Sequence, residues 1–573
     1  MIKACVVKKT ISFFCLFLPG GLVISQVSVY PDTILFNGKI ITVDDFFSVK
    51  EAIAIQGTRI VAVGTNEDIQ SLSGPDTLVS DLRGKTVIPG LIDNHNHVIR
   101  ATEYWPNEAR LDGVSSRIEA LTILETKANE LADNEWLMSL GGWTENQFIG
   151  NQADFTLEEL DEVASDRPAF IQSTYDHAFG NTRWFEEMDI PIVAGFEQHR
   201  DATGLSSYVV RDETGLATGR LNGGMPMVVS AIERFPVVTA ERQELAIKEA
   251  FTHLNSIGLT SVYDPAGAGI KGDSYLRIKS LSEETGLTVR IFYTLSPLSF
   301  ERRTTPNAVE EIIEEIRTSR PFQGNEEVDM IAIGESYYSP FHRDSLFMPT
   351  NPSEEDFQAG KNILSVAAQG GWSVQTHSSR PETIDILLDA IEEVNQQYPL
   401  RQLRWSITHA DMVGRSQIDR MRHLGMNLQM RSISVLFQPR RGVLIQQMGE
   451  AGYHVPPLRM IQESGIPWGL GTDGTKAAQI NPFVTLWWAV TGLALNGELV
   501  LSETLSREEA LIAHTRSNAY LMFQEANIGS IRPGFLADLV VLDRDYLTIS
   551  ATEIKDIQAD ATFVGGKLVW GSL

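Results

Sequence analysis

The sequence predicts an α/β fold: a closed parallel (β/α)8, TIM-like barrel joined to a composite β-sandwich domain formed by both termini. Three observations carry this. Eight short apolar strands follow one another between residues 87 and 525, most of them separated by runs of helical periodicity. Both ends of the chain are β-rich, unlike the middle. Four of the 11 histidines close apolar strands, and in such a barrel strand ends open onto one mouth.

Taken in order, Lys3, Lys8 and Lys9 precede the apolar run 11–18, and the small-residue step Val23-Ile24-Ser25 follows. That is the layout of a secretory signal peptide over 1–25, and export to the periplasm or the medium is expected. Both cysteines, Cys5 and Cys15, lie in this segment, so the mature chain has none and thiolate or disulfide chemistry is excluded. Residues 26–86 read as short strands: 33–36 and 39–43 flank Asn37-Gly38, and 52–55 and 59–64 flank Gly57. Residues 526–573 have the same texture, and the two ends are expected to build one domain. Val87 to His97 is an apolar strand ending in His-x-His. A long insertion, about 100–239, would lie over the barrel mouth. Thr239 caps a helix with the stripe Ala246, Ala250, Phe251, Leu254 and Ile257, ended by Gly258. Strands at 260–264, 289–293, 330–333, 372–376, 405–408, 428–430 and 468–471 complete the barrel.

Composition narrows the partners. A chain of 573 residues with a net charge of −27 is poorly suited to nucleic acid or anionic membrane, and a small-molecule substrate is the expected partner. Of its assembly nothing is specified, and a homodimer is among the states left open. No phosphate-cradling glycine loop, serine elbow or dinucleotide fingerprint is present.

The chemistry gathers at the strand ends. On an extended strand His95 and His97 point to one face and Asn96 to the other. Strand four ends at Gly334-Glu335, strand five runs into His377, strand six into His409 and strand eight into Asp473. This set offers only nitrogen and oxygen donors, which suits zinc and, less specifically, manganese, iron or nickel. A structural alternative, histidines that merely cap a core, does not account for their shared position. Asp93, one layer below the pair, and Asp264, at the end of strand two, could orient the ligands.

Here the sequence resembles the metal-dependent amidohydrolase superfamily, in its YtcJ-like (amidohydrolase 3) branch. The resemblance spans nearly the whole mature chain. It rests on Pro89 to His97, Gly142-Trp143, Asp176-His177, Thr408-His409-Ala410, Gly471-Thr472-Asp473, Asn481-Pro482 and the tail Ile528 to Asp538. It implies that His95 and His97 bind one metal, that His377 and His409 serve a second metal or polarise the substrate carbonyl, and that Asp473 shuttles the proton of the attacking water. It also implies that Trp143 and His177 line the substrate pocket. The expected cofactor is zinc, one ion or two, and the expected reaction is hydrolysis of an amide, N-acyl or N-formyl C–N bond.

Two departures matter. The branch usually places a metal-bridging lysine on strand four; that position is Met330, and no lysine occurs from 280 to 360. Glu335 either supplies the bridging carboxylate instead or is a surface loop acid. After His377 the branch often has Gly-Asp, where this chain has Arg380-Pro381. A heterocycle deaminase on the same scaffold is the second reading, opposed by Arg380 at the position where such enzymes carry a glutamate. A non-catalytic barrel that binds a small molecule is the third, opposed by the presence of Asp473.

Overall fold

The computed structural model describes residues 30–194, 204–267, 270, 274–297, 307–432 and 440–573. The segment 1–25, expected to be a signal peptide, lies outside them. Eight parallel strands form one sheet in chain order: Leu91–Asp93, Leu259–Asp264, Arg290–Leu295, Val328–Ile333, Ser373–Ser378, Ser406–His409, Asn427–Arg431 and Trp468–Gly471. They are called strands one to eight below. Most are buried on both faces, as a parallel sheet covered by helices requires.

The seam between strands eight and one is closed by hydrogen bonds. Asp473 N donates to His95 O at 2.8 Å and His97 N to Gly474 O at 2.6 Å. The Asp93 carboxylate accepts from Thr472 N at 3.0 Å and from its hydroxyl at 2.5 Å. Gly471 makes this approach possible, since a Cβ there would stand 2.7 Å from Asp93 Oδ1 and 3.0 Å from His95 N. Asp93 therefore ties the barrel shut rather than gripping an imidazole.

Helices cover the outside. The helix Ala240–Ser256 starts where the Thr239 hydroxyl accepts the Arg242 N–H, and buries Ala246, Ala250, Phe251 and Leu254. Gly258, at φ +79°, turns the chain into strand two.

Between strands one and two the chain builds a separate five-stranded sheet, in the order Val209–Arg211, Ala217–Asn222, His177–Gly180, Ala169–Ser173, Leu137–Leu140. It has its own apolar clusters. It docks on the loop after strand eight through Gly141 and Gly142, at φ +92° and +80°. Gly142 N donates to Lys476 O at 3.0 Å, and a Cβ on Gly141 would strike that same carbonyl.

The two ends of the chain share a six-stranded sheet: Lys567–Gly571, Ala559–Val564, Leu539–Leu542, Thr86–Pro89, Lys39–Ile41, Val49–Lys50. A four-stranded sheet of residues from 33 to 81 faces it across Ile40, Ile53, Val87, Leu539 and Phe563. Arg290 of strand three reaches into this unit and grips Asp538 with two hydrogen bonds, 2.7 and 2.9 Å long. No helix among the described residues is long and apolar enough to cross a membrane.

Candidate metal centre

Six side chains meet at the mouth of the barrel. Glu335 stands in the middle: Oε1 lies 3.4 Å from His97 Nε2, and Oε2 lies 3.6 Å from His95 Nε2, 3.2 Å from His377 Nδ1 and 3.1 Å from His409 Nε2. Asp473 Oδ1 is 3.7 Å from His95 Nε2 and 3.4 Å from His97 Nε2, and Oδ2 is 3.9 Å from His409 Nε2. Glu335 is thus no surface acid. Its N–H donates to Pro265 O and its carbonyl accepts from His377 N, both at 3.1 Å, which pins it between the ends of strands two and five. Met330 instead packs against the apolar layer beneath the helices.

The backbone holds the imidazoles to their task. His97 Nδ1 donates to Ala266 O at 2.8 Å, and His95 Nδ1 lies 2.9 Å from the Thr408 hydroxyl, so in both rings Nε2 faces the centre. Asp264 braces that arrangement, accepting from Ala266 N at 2.8 Å and Ile99 N at 2.9 Å. His409 and Asp473 occupy the left-handed region at φ +73° and +62°, which costs a residue with a Cβ about 1 kcal/mol or more. The fold spends that energy where the chemistry sits.

Charge is sorted to match. Burial, only partly offset by Glu335 and Asp473, drops His95 to about 3 and keeps it neutral. Burial, Arg431 and His377 lower His409. Burial also acts to raise both carboxyls, but His95, His377 and His409 hold Glu335 well below the usual range, and Arg431 with His97 does the same for Asp473. For His377 burial is outweighed by its bond to Glu335, and its pKa rises.

Imidazoles facing carboxylates are the donor set a divalent cation takes, and three overlapping triples are close enough to share one: His95-His97-Glu335, Glu335-His377-His409 and His95-His409-Asp473. His95 Nε2 and His409 Nε2 point at each other across 3.4 Å. Two ring nitrogens so placed gain most from a cation between or beside them.

The centre floors a cavity of about 320 Å³. Trp143 and His177, expected from the resemblance to contact substrate, are not on its wall. Trp143 is sealed among Phe148 and Phe155, and His177 Nε2 bonds Glu145 Oε1 at 2.9 Å. Their neighbour Tyr175 lines the cavity instead. Trp143 packs in an apolar cluster beside the second sheet, and His177 opens the strand His177–Gly180, two residues beyond Tyr175.

Arg431, Asp344 and Arg100 were not singled out in the sequence. Arg431 grips Asp473 and, at 3.2 Å, Asp411. It is the last residue of strand seven, so the strand-end rule that found the histidines would have found it. Asp344 accepts from Ser379 N at 2.7 Å and lies 3.6 Å from His377 Nε2; it comes from the loop after strand four, where no periodicity points to it.

Comparison with known proteins agrees with this geometry. A model described as the amidohydrolase family matches residues 78–570. The chain is 25% identical to an N-substituted formamide deformylase of Arthrobacter pascens, over 94% of this chain and 98% of that one. It is 22% identical to YtcJ of Bacillus subtilis (strain 168), over 91% and 96%. A crystal structure of an uncharacterized metal-dependent hydrolase from Pyrococcus horikoshii OT3 superposes with a TM-score of 0.61 at 21% identity, covering 91% of this chain and 99% of that one, and shares the fold.

Proposed function

The chain belongs to the amidohydrolase family, a hydrolase of carbon–nitrogen bonds other than peptide bonds that depends on a divalent metal, and on that premise we propose an exported zinc enzyme that cleaves N-acyl or N-formyl amides. The observation that carries this is Glu335, whose two oxygens lie within 3.6 Å of nitrogens from all four histidines. His95 and His97 would hold one ion with Glu335, and His377 and His409 a second, with the glutamate bridging where relatives use a lysine. A divalent cation there supplies Lewis acidity to water and to the scissile carbonyl. Asp473 takes the proton of the attacking water and passes it to the leaving nitrogen. Arg431 keeps that carboxylate ionised and turned towards His95 and His97. The formamide deformylase, similar over nearly its whole length, supports an N-formyl substrate. Deamination is disfavoured: Arg380 is turned away to Glu382, at 2.8 Å, and supplies no carboxylate shuttle. The basic and apolar layout of residues 1–25 supports export.

Metal per chain, measured on wild type and Glu335→Ala purified without chelator, tests the bridge, with release of formate from N-formyl-2-phenylethylamine as the activity. Two zinc ions falling to one, with formate production lost, is expected. One ion unaffected by the substitution removes the bridge. No formate from the formamide, with ammonia released from an amino-substituted heterocycle instead, would overturn the reaction assigned.

A further inference from the structure

Arg100 brings a positive charge into the cavity that is paired with no acid among the described residues. It lies one helical turn beyond His97, in the helix Val98–Thr102, and lines the cavity with His97, Tyr175 and Asp473. Its hydrogen bond goes to the Tyr175 hydroxyl, and Nε is buried without a partner among the described residues. Tyr175 cannot supply the missing charge, because burial raises its pKa to about 12. The contrast with other buried arginines is direct. Arg431, in the same cavity, holds Asp473 and Asp411; Arg110 holds Glu108 and Asp112; Arg290 holds Asp538. In a chain with 74 acidic residues, a cavity arginine with no carboxylate within 4.0 Å among the described residues is a charge left for a ligand.

The space beside it is kept open. Gly267 sits at φ +99°, and a Cβ there would stand 3.2 Å from His97 Cε1 and 3.6 Å from Arg100 Nη1. A single methyl group placed there would touch both the guanidinium and an imidazole of the metal centre, so the two lie close together. A group bound to Arg100 is only a few bonds from a group attacked at that centre.

We propose that Arg100 anchors a substrate carboxylate, so that N-acyl or N-formyl α-amino acids are bound in preference to simple N-alkyl amides. This rests on the reading of the site as an amide hydrolase. A guanidinium presents two parallel N–H groups, the pattern a planar carboxylate fills.

The test uses the zinc-loaded full chain and a matched pair of probes, N-formylphenylalanine (both enantiomers) and N-formyl-2-phenylethylamine, which differ by the carboxylate alone. Binding is read by calorimetry and turnover by formate release. Wild type is expected to bind one enantiomer of the carboxylate probe about ten- to a hundredfold more tightly than the neutral one. Arg100→Met should bring that ratio close to one. Arg100→Gln, which retains a donor for Tyr175, should do the same and covers the case in which the methionine variant does not fold. Tyr175→Phe should keep the ratio, because the charge stays. Equal affinity for the two probes in wild type, binding of neither, or a ratio that survives both Arg100 variants overturns the proposal. Formate from the neutral probe alone leaves the hydrolase standing while the anchor falls. Charge-dependent binding without turnover of either probe keeps the anchor and removes the hydrolase.

Discussion

Asp473 and Arg431 show how one contact sets a working range. The guanidinium overcomes burial and holds the carboxyl in its ionised, proton-accepting form. Because the pairing depresses the folded-state pKa, activity that needs the ionised form persists as pH falls. Arg431→Met removes the depression, so the acid limb of the pH profile of kcat/KM should move to higher pH. Asp473→Asn should cost about 10²–10⁴ in kcat with the fold intact by circular dichroism. His514 poses the opposite case. Burial lowers it to about 4, and its Nδ1 lies 3.2 Å from Ile92 O beneath strand one. Unfolding lets it take up a proton between its free value and 4, so it weakens the fold as pH drops through that window. His514→Gln should flatten the loss of stability between pH 6.5 and 4, relative to wild type, in denaturant titrations.

At the level of elements, glycines decide where strands meet. Gly471→Ala would drive a methyl group between strands eight and one, beside Asp93 and His95. A loss of about 1–3 kcal/mol is expected, with reduced metal retention, checked by urea unfolding and metal analysis. The barrel strands were legible because each is a short apolar run, and four of them lead into a chemically distinct residue: His97, His377, His409, Asp473. The inserted sheet was not. Its last two strands are exchanged relative to chain order, with 217–222 and not 209–211 pairing with 177–180, and no local periodicity encodes that. Trp143 and His177 match a motif expected at the pocket, but Trp143 packs against Phe148 and Phe155 and His177 bonds Glu145. Glu335 was half legible: the missing lysine raises the question of a substitute carboxylate, and the packing of strands two, four and five brings Glu335 among the histidines.

Across the whole molecule, the buried Arg290–Asp538 pair joins the third barrel strand to the tail of the chain, and Asp538 also accepts Gly565 N at 2.7 Å. Arg290→Met leaves that carboxylate without its counter-charge and should destabilise the protein by about 3–5 kcal/mol in chemical denaturation, far more than loss of a surface pair. The strand Thr86–Pro89, which leads directly into the His-x-His strand, has one edge paired by Lys39–Ile41 and the other by Leu539–Leu542. During synthesis the first partner is made early and the second only near the end. Until Asp538 and Leu539–Leu542 have been made, the strand Thr86–Pro89 has an unpaired apolar edge and Arg290 lacks its counter-ion. The strand that leads into the metal centre is therefore completed by a partner distant in sequence, and the two ends of the chain must meet before that strand is fully paired.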